Sequence, residues 1–145
     1  MKHDETTIQL IKETRKLHKT PTLNCRGILI IGYDHKLDSK EFSNISAITE
    51  KQATELLIKD LIKIDKQLRS KLQVILTQPQ YNALCSFLYD VGLTVLKFSG
   101  IIELINEDKF LEASLLFKRY NSYLSKKRIY QLVKLRQIES NLLLS

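Results

Sequence analysis

The chain is poor in the residues that break or staple a fold. Among 145 residues there are four Gly and two Pro. That excludes a collagen-like or Gly/Pro-rich linker protein and argues against an all-β fold built on many tight turns. The two cysteines, Cys25 and Cys85, lie far apart. With no CxxC pair and no His/Cys cluster they imply neither a zinc site nor a disulfide framework, so reduced thiols, no metal and no cofactor are expected. Long apolar runs are missing too. The stretch Gly27-Ile28-Leu29-Ile30-Ile31-Gly32 is far too short to cross a bilayer, so no membrane insertion is expected. The opening Met1-Lys2-His3-Asp4-Glu5 lacks the apolar core of a signal peptide. The sequence therefore reads as cytoplasmic when synthesised, reaching any other compartment by another route.

What is present suits one ordinary domain: 43% apolar residues, 27% charged, and enough length for a normal core. The charge is lopsided. Twenty-three Lys and Arg stand against 16 Asp and Glu, a net +7, which favours an anionic partner such as nucleic acid, a cell-wall polymer or an acidic protein. The sign does not choose among these, and basic residues also solvate helices.

Hydrophobic periodicity predicts a mostly helical chain with one small β element. Residues 6–18 read as an amphipathic helix through Ile8 and Ile11, ended by Pro21. Residues 27–33 read as a strand, and 35–48 as a polar surface loop. Thr49 and Gln52 form a capping-box pattern opening a helix to about Ser70, with Ala53, Leu57, Leu61, Ile64 and Leu68 at helical spacing. Thr77 and Gln80 open another, with Pro79 in its first turn, ending near Gly92. A short helix follows Ser99-Gly100, another covers about 109–119, and the last runs from about 127 to 143. The aromatics Phe87, Phe98, Phe110 and Phe117 fit core positions, and Cys85 fits a buried one.

Five motifs then stand in a telling order: Leu10-Ile11-Lys12-Glu13, Ile31-Gly32-Tyr33-Asp34-His35, Ile48-Thr49-Glu50-Lys51-Gln52-Ala53, Leu76 to Leu84 continuing through Ser86-Phe87-Leu88-Tyr89-Asp90-Val91-Gly92, and Leu132 to Glu139. Together they resemble the phage-type lysozymes, the endolysin muramidases, over nearly the whole chain from about residue 8. The resemblance implies an α+β, mostly helical fold: a small N-terminal sheet lobe (about 20–60) and a helical lobe (about 61–145 plus the N-terminal helix), with the active cleft between them. It implies action on the glycan strand of peptidoglycan. It also implies a Glu near the end of helix one as general acid, an Asp or Cys in the first turn of the sheet, and a Thr on the strand before Gly-Tyr-Gly-His.

Counting back from Gly32 and His35, the Glu position falls on Arg15, with Leu17 as the following Leu. The Asp/Cys position falls on Asn24, the Thr position on Ile30, and Asp34 replaces the Gly before His35. None of the three expected catalytic groups is intact. A leaving glycosidic oxygen needs a proton, and a guanidinium cannot supply one. Ile30 cannot hydrogen-bond a water, and Asn24 could orient one but not take its proton. Glu13 is two residues from Arg15, about 200° around a helix. A two-residue shift would bring it to the acid position but would lose the Leu17 correspondence. Asp34 is the other carboxylate candidate, or else a turn residue. His35 loses an acidic neighbour to Arg15 in this alignment.

The expected cleft set is therefore Arg15, Asn24, Ile30, Asp34, His35 and Asp90. With Lys16, His18 and Lys19 nearby, it reads as a cationic former active site. The expected role is binding of a protein or a peptidoglycan-derived ligand without hydrolysis. The alternative is a muramidase with displaced catalytic residues. A third reading is a nucleic-acid binder, through Lys118, Arg119, Lys126, Lys127, Arg128, Lys134 and Arg136 interleaved with Tyr120, Tyr123 and Tyr130.

Overall fold

The computed structural model describes residues 1–24 and 26–120, gives 126–132 as helical backbone, and describes 133–145 in full. Helix α1 spans Glu5–Thr14. The Asp4 carboxylate accepts the Thr6 N–H at 3.0 Å and caps it, while Ile8, Leu10 and Ile11 face inward. The helix is shorter than the periodicity predicts. Arg15 is already extended (φ −129°, ψ 144°), and strand β1, His18–Leu23, takes over what the pattern assigns to helix and loop. Pro21 lies inside β1. The sheet order is β1-β2-β3, so β1 is an edge strand, where a proline is tolerated.

Strand β2 is Leu29–Gly32 and β3 is His35–Lys36, both pairings antiparallel. The register of the first pair is uneven. His18 faces Gly32, yet Thr22 faces Ile30, so four steps along β1 answer two along β2. Strand β1 thus carries two residues that β2 does not match, a bulged stretch next to the site. The β2–β3 turn passes through Asp34 at φ 62°, the left-handed region that Asp tolerates better than most residues. Residues 35–48, read from sequence as a loop, instead contain β3 and a short helix α2, Ser39–Asn44, closed by a capping box of Asp38 and Glu41.

Helix α3, Glu50–Lys71, follows its Thr49/Gln52 capping box and buries the predicted stripe Ala53, Leu57, Leu61, Ile64 and Leu68. Helix α4, Gln78–Val91, follows the Thr77/Gln80 box and ends at Gly92. A further short helix, α5 (Leu93–Phe98), starts directly after it, where sequence gave no separate element. Then come α6 (Ile101–Asn106), α7 (Phe110–Arg119) and α8 (Lys126–Leu144). The architecture is a small sheet lobe joined to a mostly helical lobe, as expected.

One core runs from α1 through α3 and α4 to α7 and the end of α8, with Ile11, Leu57, Leu84, Phe87, Ile101 and Phe117 fully buried. Phe87 stacks on Phe117 at 4.2 Å. Cys85 is buried and unpaired, and burial pushes its thiol well up, away from reactivity. Phe98 departs from expectation. It is 76% exposed, because α5 turns that face outward after Leu96 has taken the inward position. Cys25 lies outside the described residues. No helix among the described residues is long and apolar enough to cross a membrane.

Candidate active site

Arg15 sits where α1 ends and the chain turns toward β1, and its side chain folds inward to 1% exposure. A buried guanidinium needs partners. Its Nη2 reaches the Asp90 carboxylate at 3.0 Å, its Nε lies 3.4 Å from Asp34, and its Nη1 donates to the Thr14 hydroxyl at 2.9 Å. The group lies over the Tyr89 ring, 5.2 Å from its centre. Asp90, near the end of α4 and 4% exposed, also holds Arg136 of α8. Arg136 in turn pairs with Glu139 at 2.6 Å and donates to the Tyr120 carbonyl at 2.9 Å. Signs alternate along the chain of groups: Asp34, Arg15, Asp90, Arg136, Glu139. Burial pushes the Glu139 carboxyl up to about 7, against the pull of Arg136.

This arrangement corrects the picture of a cationic cleft built on Arg15. Two carboxylates neutralise that guanidinium beneath the surface. Arg136 likewise leaves the basic surface expected at the C-terminal end, since it is 1% exposed and paired on both sides. Lys118, Arg119 and Lys134 are exposed, and Tyr120 packs edge-on against Phe87. The side chains of Tyr123, Lys126, Lys127, Arg128 and Tyr130 lie outside the described residues.

His35 also differs from expectation. It keeps acidic neighbours, different ones from residue 15. Its Nδ1 lies 2.6 Å from Asp60 on α3 and its Nε2 2.7 Å from Glu41 on α2. Only the imidazolium can donate to both. The hydrogen bond to Asp60 raises the His35 pKa above its usual value, burial opposes this, and the Glu41 bond reinforces it. A cavity of about 310 Å³ opens here, lined among others by Asp34, His35, Glu41, Asp60 and Tyr89.

Asn24 and Ile30 do not join the ion-pair chain. The Asn24 Oδ1 accepts the backbone N–H groups of Arg26 (2.9 Å) and Ile28 (3.0 Å), an Asx turn that shapes the β1–β2 hairpin. That oxygen is engaged by the backbone, so it does not orient a water. Ile30 is 3% exposed. Glu13, the last residue but one of α1, is exposed. A second cavity, of about 260 Å³, lies between the sheet lobe and the helical lobe, lined by Arg26, Val91, Val95, Arg119 and Tyr120.

The motifs put Arg15, Asp34, His35 and Asp90 in one region, and the structure brings Arg15, Asp34 and Asp90 into contact, with His35 lining the neighbouring cavity. Glu41, Asp60, Arg136 and Glu139 also take part, and none of them is among the expected cleft residues. Arg136 and Glu139 carried a legible signal: opposite charges three apart on a helix, flanked by apolar positions. Among the described residues no cluster of His, Cys, Asp and Glu is suited to hold a metal ion.

A small antiparallel sheet set against a helical body, with charged clefts between, defines a protein of the lysozyme fold. The chain belongs to the phage lysozyme family, which matches residues 12–139. It is similar to an endolysin of Bacillus phage PZA, 36% identical over 70% of this chain and 38% of that protein. It is also similar to an endolysin of Acyrthosiphon pisum secondary endosymbiont phage 1, 30% identical over 81% of this chain and 78% of the relative. Its fold superposes on the muramidase domain of SpmX from Asticaccaulis excentricus with a TM-score of 0.83 and 26% identity, covering 99% of this chain and 98% of that one. The chain thus spans well under half of the Bacillus phage relative.

Proposed function

We propose that this protein is a muramidase acting on the glycan strand of peptidoglycan, with Glu13 as its general acid. The observation that carries this is the contrast between two near neighbours at the end of α1, Glu13 and Arg15. Glu13 has two features of an acid in reach of substrate. It lies near the end of α1, where the family's acid is expected, and it is exposed, whereas the Arg15 side chain is buried. A proton donor has to reach the glycosidic oxygen. The similarity to endolysins supports the same reading.

Asp34 is the second carboxylate of the proposal. It is 30% exposed, held in place by Arg15, and stands at the turn of the sheet as the group to activate water. Asn24 and Ile30 stand where the family's Asp/Cys and Thr are expected. The reaction thus runs without the Asp/Cys and Thr of the family, and a slow enzyme is expected.

A second reading, binding without hydrolysis, is favoured by the closed ion-pair chain around Arg15, which leaves a guanidinium in the middle of the site. One experiment separates the two: muropeptide release from purified peptidoglycan across a pH range. It compares the parent, Glu13→Gln, and a variant carrying Arg15→Glu, Asn24→Asp and Ile30→Thr. Slow release by the parent, reduced about 10²–10⁴-fold in Glu13→Gln, is expected. A silent parent, with the triple variant folded and active, overturns the proposal and leaves the binding reading.

A further inference from the structure

Helix α3 sorts its charges by side. Lys59, Lys63 and Lys66 stand four and three residues apart, so they fall on one face, opposite the buried Leu57, Leu61, Ile64 and Leu68. All three are exposed, as are Arg69 and the 53% exposed Ile62 on the flank of that face. The acids of this stretch are engaged elsewhere. Asp60 pairs with His35 at 2.6 Å, and the buried Asp65 takes His3 at 2.6 Å and the Tyr81 hydroxyl at 2.8 Å. Glu55, one turn before Lys59, is the last exposed acid of the helix. From Lys59 to Arg69 the outer face thus carries four cations and no exposed carboxylate, over about 15 Å. An apolar opening lies at the end of this stripe. Where α3 passes into α4, a cavity of about 330 Å³ is lined by Met1, Leu72, Val74, Ile75 and Leu76, with Arg69 as its cation and no carboxylate among its described lining residues. Ile75 is 100% exposed. It is held out by a fixed linker: the Gln73 N–H donates to the Asn106 side chain at 2.8 Å, and the Asn106 amide donates to the Lys71 carbonyl at 3.1 Å. The His3 backbone N–H, donating to Asp65 at 3.0 Å, fastens Met1 beside the same cavity.

We propose that this end of α3 docks on the surface of an anionic lipid bilayer, with the lysine stripe against the phosphate headgroups and Ile75 entering the apolar boundary beneath them. Lysine suits such a surface, because a point charge on a flexible stem reaches a phosphate without demanding a set geometry. The exposed isoleucine and the apolar cavity beside it decide between polyanions. A nucleic acid or an anionic wall polymer has no apolar layer behind its phosphates, so either would take the lysines and leave Ile75 in water. The contact is peripheral, with the helix lying along the interface, since no helix among the described residues is long and apolar enough to cross a membrane. It concerns where the chain docks and does not depend on muramidase action.

The test is sedimentation of the full chain with vesicles of phosphatidylglycerol and phosphatidylcholine in equal parts, beside vesicles of phosphatidylcholine alone. The parent is expected to bind the anionic vesicles far more tightly than the neutral ones, and to weaken as salt is raised. A variant carrying Lys59→Gln, Lys63→Gln and Lys66→Gln is expected to lose about 100-fold in affinity, about fivefold for each lysine. Ile75→Ser is expected to lose about tenfold, at low and high salt alike. All four positions are exposed, and circular dichroism checks the folding of both variants. A short DNA duplex serves as the control polyanion, and Ile75→Ser is expected to leave any binding of it unchanged. The proposal is overturned if neutral vesicles bind the parent as tightly as anionic ones, or if the triple variant keeps parental affinity. It is also overturned if Ile75→Ser binds anionic vesicles like the parent, which would reduce the stripe to a general polyanion-binding face.

Discussion

Asp90 is the hinge of the buried charges. It is 4% exposed and holds Arg15 and Arg136 at once. Removing it leaves two guanidinium groups facing each other in the interior, and breaking a buried pair from one side costs about 3–5 kcal/mol. Asp90→Ala is therefore expected to lose about that much stability in chemical denaturation. Asp34 touches the same Arg15 from a half-exposed position, 30% against 4%. Solvent screens it, so Asp34→Ala should cost about 1 kcal/mol or less. Equal losses in the two variants would mean that the ion-pair chain is not ordered by burial as described. The same logic bears on Arg15→Glu, which puts a third carboxylate between Asp34 and Asp90. Its stability is expected to fall, so silence from that substitution alone says nothing about catalysis. These pairings were not legible in sequence. The motifs brought residues 15, 34 and 90 into one region, but periodicity cannot tell that residue 15 would turn inward while residue 13 stays in water. That choice is made where α1 ends, and it depends on what α4 and α8 offer as partners.

Elements were legible where local chemistry decides them. The capping boxes at Thr49/Gln52 and Thr77/Gln80 mark two helix starts in sequence and in structure alike. The Asp38/Glu41 box marks α2 just as clearly, but its helix is too short to show an apolar face. Strand β1 is hidden for a different reason. Pro21 resembles a helix stop, and only the edge position in the sheet makes it a strand residue. The bulge in β1 exists only in the pairing with β2, so no reading of one strand reveals it. Gly32 offers a test of how firmly the sheet is set on α3. It has φ 66°, and a Cβ there would lie 3.2 Å from the Ala53 Cβ. Gly100 has φ 79° but open space around it. Alanine at Gly100 should cost about 1–2 kcal/mol, the backbone strain alone. Gly32→Ala should cost more, because α3 or the sheet has to shift as well. Thermal denaturation of the two variants checks this, and a Gly100→Ala loss equal to or larger than that of Gly32→Ala would show that α3 does not constrain the sheet.

At the scale of the whole molecule, two buried titrating groups among the described residues tie stability to pH in the same direction. The Glu139 pKa, raised by burial from its ordinary 4.5 to about 7, means that the folded chain holds a proton the unfolded chain releases between those values. Stability therefore falls as pH rises through that window. His35 is raised above 6.5 by its hydrogen bond to Asp60 and, after burial's opposing effect, by Glu41. Its contribution is complete below 6.5 and is lost as pH rises through the folded value. One group sits in the buried chain joining α4 to α8, the other between the sheet, α2 and α3, so both lobes should weaken together on the alkaline side. From about pH 5 to about pH 8 the thermal midpoint Tm is expected to fall, by roughly 3 °C for each kcal/mol lost in a chain of this size. Glu139→Gln keeps an oxygen for Arg136 but does not titrate, and should flatten part of the slope. His35→Gln should flatten a further part, with the double variant shallower than either single one. A parent whose Tm is constant or rises over this range would mean that neither group is held in the protonated form the fold favours.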